Sequence, residues 1–263
     1  MNRDHPLLPC AEEAAAAATA WLDRAGRRLS ATRYKPTGEE VTDADLGVQS
    51  LVTDLLRART PDIPLVGEEA AAPAGAGPER ALPSRCWVLD PIDGTMNFAR
   101  GAPFYSVSLA LVDGGRPVLG VIDAPALGRR WSTRGPTTQD GTPSEVRHLS
   151  DAVVGLTGTG SGDPAVTASF VGRLHADAYR VRMLGAMSMD LVGVAEGWLD
   201  ACVCLAPKPW DVAAGIALVQ DRGGVVLGAR GAGFSWDSPL LAAGAAELAH
   251  DLIDLWTATS AST

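Results

Sequence analysis

The stretch from Cys86 to Phe98 constrains this chain more than any other. Cys86-Trp87-Val88-Leu89 is an apolar run of the length and composition of a buried strand, and it ends on Asp90. Pro91 stiffens the turn that follows, and Asp93 comes three residues after Asp90, so two carboxylates can converge on one point. Gly94 and Thr95 then offer backbone N–H groups where a short helix opens, a place that favours phosphate. Magnesium takes oxygen ligands in near-octahedral geometry, through few carboxylates plus substrate phosphate. Two such ions, about 3.5–4 Å apart, clamp the attacking and leaving oxygens of an in-line displacement. A bare D-x-x-D is usually a solvated turn. The longer string Asp90-Pro91-Ile92-Asp93-Gly94-Thr95-Met96-Asn97-Phe98 combines requirements that few loops share.

Around this string the pattern predicts alternating elements. A first helix is expected over Ala11–Leu29. A second begins near Thr42, which can cap it, with Asp43 and Asp45 in its first turn and Leu51, Val52, Leu55 and Leu56 as an apolar stripe. A short strand, Pro64–Val66, leads into Gly67-Glu68-Glu69. Ala70–Pro83, rich in Ala, Gly and Pro, reads as a surface loop. Tyr105–Val112 and Pro117–Asp123 flank Asp113-Gly114-Gly115, a hairpin signal. Arg129–Ser150 reads as polar and turn-rich, with a boundary at its end. Strands Val153–Thr157, Ala178–Met183, Leu199–Leu205 and Val225–Leu227 then alternate with helices from Pro164, over Ser188–Glu196, over Asp211–Gln220 and near Leu240–Trp256. The expectation is an α+β half, residues 1–150, joined to an α/β half, residues 151–263.

Composition removes several classes. The net charge of −9 and the lack of any basic run argue against nucleic acid. Ala14–Leu22 is too short to span a membrane, and it follows Glu12 and Glu13, where a signal peptide carries positive charge. Cys10, Cys86, Cys202 and Cys204 contain no CxxC pair and suggest a reducing cytoplasm. Cys202 and Cys204, two apart in a strand, should face one side as small buried thiols. Gly158-Thr159-Gly160-Ser161-Gly162 lacks the Lys and Ser/Thr of a P-loop. His5, His148, His175 and His250 have no ligand or triad spacing, and no Ser sits in G-x-S-x-G. Asp211 opens a helix and reads on its own as an N-cap as readily as a ligand.

The Asp90–Phe98 string resembles the first signature of the inositol monophosphatase family of lithium-sensitive, metal-dependent phosphatases. Pro209-Trp210-Asp211-Val212-Ala213-Ala214-Gly215, running on to Gly223-Gly224, resembles the second. Thr42-Asp43-Ala44-Asp45 and Gly67-Glu68-Glu69 match too, in the family's order and spacing, over nearly the whole chain. The resemblance implies a layered α-β-α-β-α sandwich, commonly dimeric, with two to three Mg2+ ions that Mn2+ can replace. It implies that Glu68 ligates the first metal and activates the nucleophilic water. Asp90 would bridge two metals, and the Ile92 carbonyl would also ligate the first. Asp93 and Asp211 would hold the second. Thr95 would orient the water with Glu68, and the N–H groups of Gly94 and Thr95 would grip the phosphate. Asp45 would support the water shell of a third metal. The activity implied is hydrolysis of a small soluble phosphate monoester.

The substrate is where the chain departs from the pattern. Inositol-specific members carry a glutamate seven residues before the second-motif Asp. Here Cys204 stands there, and a thiol does not accept hydrogen bonds as a carboxylate does. Gly185-Ala186-Met187 aligns with another substrate-facing stretch, where Met187 adds apolar bulk. Together with Trp210 these point to a less polar leaving group, such as histidinol, a nucleoside or a modified sugar, over myo-inositol. A bisphosphate nucleotidase or sugar bisphosphatase is the enzymatic alternative, with Arg180 and Arg182 available for a second phosphate. A non-catalytic binding member of the family is the alternative of another class, which the presence of Glu68, Asp90, Asp93, Thr95 and Asp211 disfavours.

Overall fold

The computed structural model describes residues 5–25, 33–34, 40–70, 82–133, 144–158 and 164–260. In chain order the elements are α1 (Leu8–Ala25), β1 (Arg33–Tyr34), β2 (Glu40–Val41), α2 (Asp43–Arg59), β3 (Leu65–Gly67), β4 (Arg85–Asp93), α3 (Thr95–Arg100), β5 (Ser106–Asp113) and β6 (Arg116–Ala124). After them come β7 (Arg129–Ser132), β8 (Val153–Thr157), α4 (Pro164–Asp177), β9 (Arg180–Arg182), α5 (Met187–Ala195), β10 (Ala201–Leu205), α6 (Pro209–Asp221), β11 (Val225–Gly228), β12 (Leu240–Gly244) and α7 (Ala246–Ser260).

Two five-stranded sheets carry the fold. The first has the order β3-β4-β5-β6-β7, antiparallel except for β3 on β4. The second has the order β11-β12-β10-β8-β9, with β8 parallel to both β10 and β9. Helices α1 and α2 pack on each other and on one face of the first sheet. Helices α5 and α6 lie between the sheets, and α4 and α7 cover the outer face of the second. This is the α-β-α-β-α sandwich.

The period-two alternation of the strands builds it. In β4, Cys86 and Val88 face the central core, while Trp87 and Leu89 face α1 and α2. In β10, Cys202 and Cys204 face the central core together, while Ala201, Val203 and Leu205 face the outer one. Helix α6 is buried along nearly all of its length, as a helix sandwiched between two sheets must be. Its approach to the first sheet requires Gly120, where a Cβ would lie 2.4 Å from the Ala214 carbonyl oxygen.

Three expectations change. Arg129–Ser132, taken as turn, is an edge strand paired with β6. The span Leu240–Trp256 is not one helix: Leu240–Gly244 forms a strand between β10 and β11 before α7 begins. Strand β4 does not stop at Leu89; it runs on to Asp93, with a register shift between Asp90 and Asp93. The C-terminal end of the first predicted helix, most of the Ala70–Pro83 loop and Thr159–Gly162 lie outside the described residues. No helix among the described residues is long and apolar enough to cross a membrane.

Candidate active site

The site is assembled at the seam between the first sheet and the central helices. Strand β3 pairs in parallel with β4, Gly67 opposite Leu89, so Glu68, the next residue, is delivered level with Asp90. Asp90 lies opposite Ser108 of β5, whose hydroxyl is 3.5 Å from the Trp210 carbonyl at the start of α6. That packing brings Asp211, in the first turn of α6, to bear on Asp90. Residues far apart in the chain are therefore placed by sheet register and by one helix N-terminus.

Asp90 is 2% exposed, and its Oδ1 accepts the Ile92 N–H at 2.9 Å. Burial holds its carboxyl well above the usual carboxylate range, and the charges of Glu68, Asp93, Asp211 and Asp45 push it the same way. Asp93 is 7% exposed. Its Oδ2 accepts from the Ser188 N–H at 2.7 Å and from the Ser188 hydroxyl, and its Oδ1 from the Met187 N–H at 3.3 Å. Asp93 therefore caps the N-terminus of α5 from across the seam. Burial pushes it up to about 6, against the pull of the Ser188, Met187 and Gly94 hydrogen bonds.

Asp45 closes the capping box of α2. Its Oδ2 accepts from the Thr42 N–H at 2.7 Å and the Thr42 hydroxyl at 2.5 Å. Its Oδ1 is 3.3 Å from the Thr95 hydroxyl, which also donates to the Ile92 carbonyl at 2.9 Å. Burial raises the Asp45 carboxyl, partly offset by the Thr42 bonds, and the nearby Glu69 charge adds to the rise. Asp211 sits in the first turn of α6, three residues after the N-cap Lys208, with its Oδ2 accepting the Lys208 N–H at 2.7 Å. Gly94 caps α3 at φ +85, where a Cβ would stand 2.9 Å from the Phe104 carbonyl oxygen.

The substrate-side residues divide. Gly185 is exposed, at φ +78, against the Asn97 side chain. Met187 is buried and reaches Gly158 with its methyl end. Ala186 and Cys204 are closed off: Cys204 is 0% exposed, because the pleat of β10 turns it into the central core. Its sulfur is hydrogen-bonded with Cys202, and that bond and burial raise its thiol well above the ordinary value. Cys204, expected to face the substrate, has no exposed surface in this structure with which to do so. It packs in the central core cluster that also holds Met187.

Three further side chains escaped the sequence reading. Asn97 Nδ2 donates to the Phe104 carbonyl at 2.7 Å and the Leu184 carbonyl at 2.8 Å, tying the first motif to the Gly185 segment. Its place in the Asp90–Phe98 string was the available signal. Ser106 and Ser188, hydrogen-bonded behind Asp93, sit in no motif and gave none.

The donor set suits a hard divalent cation. It is built from carboxylate and carbonyl oxygens, and the charges of four acidic groups, Glu68, Asp93, Asp211 and Asp45, bear on buried Asp90. Among the described residues no three His, Cys, Asp or Glu side chains form a preassembled cage. Asp90, Asp93 and Asp211 are therefore not gathered around one point as a three-carboxylate set in this structure, and Mg2+ binding here would draw part of its shell from water and substrate phosphate. Burial first, and then the neighbouring negative charges, raise Asp90, and a cation held there would offset both.

A family model described as the inositol monophosphatase family matches residues 3–259. The chain belongs to the inositol monophosphatase family. It is 36% identical over 242 residues to a probable inositol 1-monophosphatase of Mycobacterium tuberculosis, covering 86% of each chain. It is 35% identical over 201 residues to a histidinol-phosphatase of the same organism, covering 72% of this chain and 74% of that one. Among solved structures it is similar to an IMPase of Thermotoga maritima, with a TM-score of 0.81 and 26% identity over 95% of this chain and 96% of that one. This family member is a phosphoric monoester hydrolase with the family's fold, and the family is generally metal-dependent.

Proposed function

We propose that this phosphatase works with two to three Mg2+ ions, replaceable by Mn2+, between two halves, residues 1–150 and 151–263. Its substrate is a small soluble phosphate monoester with a body less polar than myo-inositol. The observation that carries the reading is the convergence of Glu68, Asp93, Asp211 and Asp45 on buried Asp90. Glu68, Asp90 and the Ile92 carbonyl are assigned to a first cation, Asp90, Asp93 and Asp211 to a second, and Asp45 to the water shell of a third. When bound, the cations supply Lewis acidity that lowers the pKa of water and offsets charge on the phosphoryl group. Glu68 takes the proton of the attacking water. The Thr95 oxygen, anchored on Ile92 and Asp45, accepts a hydrogen bond from the same water and aims it. The N–H groups of Gly94 and Thr95 hold the phosphate in line.

The substrate class rests on Met187, Gly185 and what is missing beside them. A buried thiol at Cys204 gives substrate hydroxyls no acceptor, and Met187 presents an apolar wall. The likeness to a histidinol-phosphatase supports a body of that kind. A cytoplasmic homodimer that binds neither nucleic acid nor membrane completes the reading.

The test is a phosphate-release screen over inositol, histidinol, sugar and nucleoside monophosphates, with magnesium and with chelator. The expected result is cation-dependent release, fastest on a less polar monoester. Inositol 1-phosphate outpacing every other substrate would overturn the substrate class. Release unaffected by chelator would overturn the cation reading.

A further inference from the structure

Asp93 is held by more than a helix N-terminus. Ser188 Oγ donates to Asp93 Oδ2 and lies 2.7 Å from Ser106 Oγ. Ser106, on β5, is the register partner of Asp93 on β4, while Ser188 comes from α5 in the central layer. Both serines are fully buried, with no solvent to supply alternative partners. An ionised carboxylate only accepts, so the Ser188 proton must point at Asp93. Ser188 then has only a lone pair left for its neighbour, and Ser106 must donate to it. The polarity of the chain Ser106→Ser188→Asp93 is thereby fixed, and each bond polarises the next.

The consequence falls on one carboxylate oxygen. Oδ2 accepts two bonds from Ser188, from its N–H and its hydroxyl, which fills that oxygen. Oδ1 accepts the longer bond, 3.3 Å from the Met187 N–H, and the Gly94 N–H bears on the same carboxylate without a Ser188 contact to Oδ1. We infer that the buried Ser106–Ser188 pair is a positioning device that locks the Asp93 carboxylate so that it offers a divalent cation its Oδ1 alone. The inference rests on Asp93 being a cation ligand, as proposed above. Ser188 and Ser106 are positioning residues, since neither touches the cation or the substrate.

The experiment is calorimetric titration of the full-length protein with Mn2+ and with Mg2+, no substrate present. Wild type is compared with Ser188→Ala, Ser106→Ala, the double variant and Asp93→Asn. Hydrogen-bond partners of metal ligands change affinity by about 10–100-fold when removed. Ser188→Ala is expected to weaken the cation site held by Asp93 at least about tenfold, and Ser106→Ala less. The double variant should bind like Ser188→Ala, because Ser106 acts only through Ser188. A role confined to stability would lower the metal-free melting temperature and leave these affinities alone. Wild-type affinity in Ser188→Ala, beside lost binding in Asp93→Asn, overturns the inference and spares the ligand assignment. Wild-type affinity in Asp93→Asn overturns both. If Ser188→Ala does not fold, Ser106→Ala decides: an unchanged affinity there sinks the relay.

Discussion

Asp190 offers a quantitative test of how the core between the sheets treats charge. It lies on α5 at 0% exposure, with Oδ2 accepting from the Thr157 hydroxyl at 2.5 Å. Its Oδ1 has no hydrogen-bond partner and packs against Gly155, where a Cβ would stand 3.0 Å away. Burial pushes the carboxyl up to about 7 from 3.8, the Thr157 bond opposes the rise, and the charge of Asp93 adds to it. An acid whose folded pKa is raised holds its proton more tightly in the native state. Stability is then greatest below the unfolded value, falls as pH climbs to the folded value, and is flat above it. A gap of about 3 pH units corresponds to about 4 kcal/mol, of which about 3 kcal/mol is lost between about pH 4.5 and about pH 8. In Asp190→Asn that loss disappears. The amide oxygen keeps the Thr157 bond, while its NH2 beside Gly155 has no acceptor and costs about 1–3 kcal/mol at every pH. The two stability curves therefore cross, with wild type ahead in acid and Asp190→Asn ahead above neutrality. Urea unfolding followed by tryptophan emission in chelator reads this directly, since the chain has seven tryptophans. Asp45 and Asp90 titrate in both proteins and cancel in the difference, which then reports Asp190 together with its coupling to Asp93. A wild-type minus variant difference constant to about 0.5 kcal/mol over that range refutes the reasoning.

Other perturbations separate chemistry from architecture. Asp93→Asn should lower turnover at least about a hundredfold while retaining the circular dichroism of the folded protein, because the amide can still cap α5 but binds a cation poorly. Thr60→Val leaves the buried Trp87 indole N–H, now donating to Thr60 Oγ1 at 2.9 Å, without a partner; urea unfolding should show a loss of about 1–3 kcal/mol with turnover unchanged. Arg129 lies between the Trp131 and Trp198 rings and pairs with Glu196, whose side chain is 2% exposed. Arg129→Ala should cost about 3 kcal/mol in the same measurement by stranding that carboxylate.

Local signals made some of the fold legible. Thr42 as a cap with Asp45 three residues on, and the buried run before Asp90, could be read directly, since caps and short apolar runs have local causes. Strand β7 could not, because Arg129 and Arg130 look like turn residues. What holds them in a strand is a cross-strand neighbour: Arg130 lies opposite Asp123 and forms an ion pair with it. Strand β12 was hidden for another reason. Its small apolar residues run without a break into α7, and only pairing with β10 and β11 selects the extended form. At the site the carboxylates were legible, since their type and spacing carry the chemistry. The partners of Asp93 were not, because Ser106 and Ser188 meet it through sheet register and helix packing, 82 residues apart from each other.

The acidic groups of the seam also differ in how the fold supports their charge. Asp45 lies in the first turn of α2, Asp211 in the first turn of α6, and Asp93 accepts the first N–H groups of α5. A carboxylate at a helix N-terminus gains about 0.3–1 kcal/mol, and up to about 2 kcal/mol where partly buried. Asp90 has no helix N-terminus to face. Among the described residues its hydrogen bond comes from the Ile92 N–H, and the charges bearing on it are negative. Asp93, also buried but multiply hydrogen-bonded, is raised to about 6 against the pull of those bonds, while for Asp90 burial and the neighbouring negative charges all push upward. The fold thus stabilises the peripheral carboxylates with its own dipoles and leaves the central one to be neutralised from outside. Among these carboxylates Asp90 is the one whose charge the protein does least to satisfy, which is what the role proposed for it above requires.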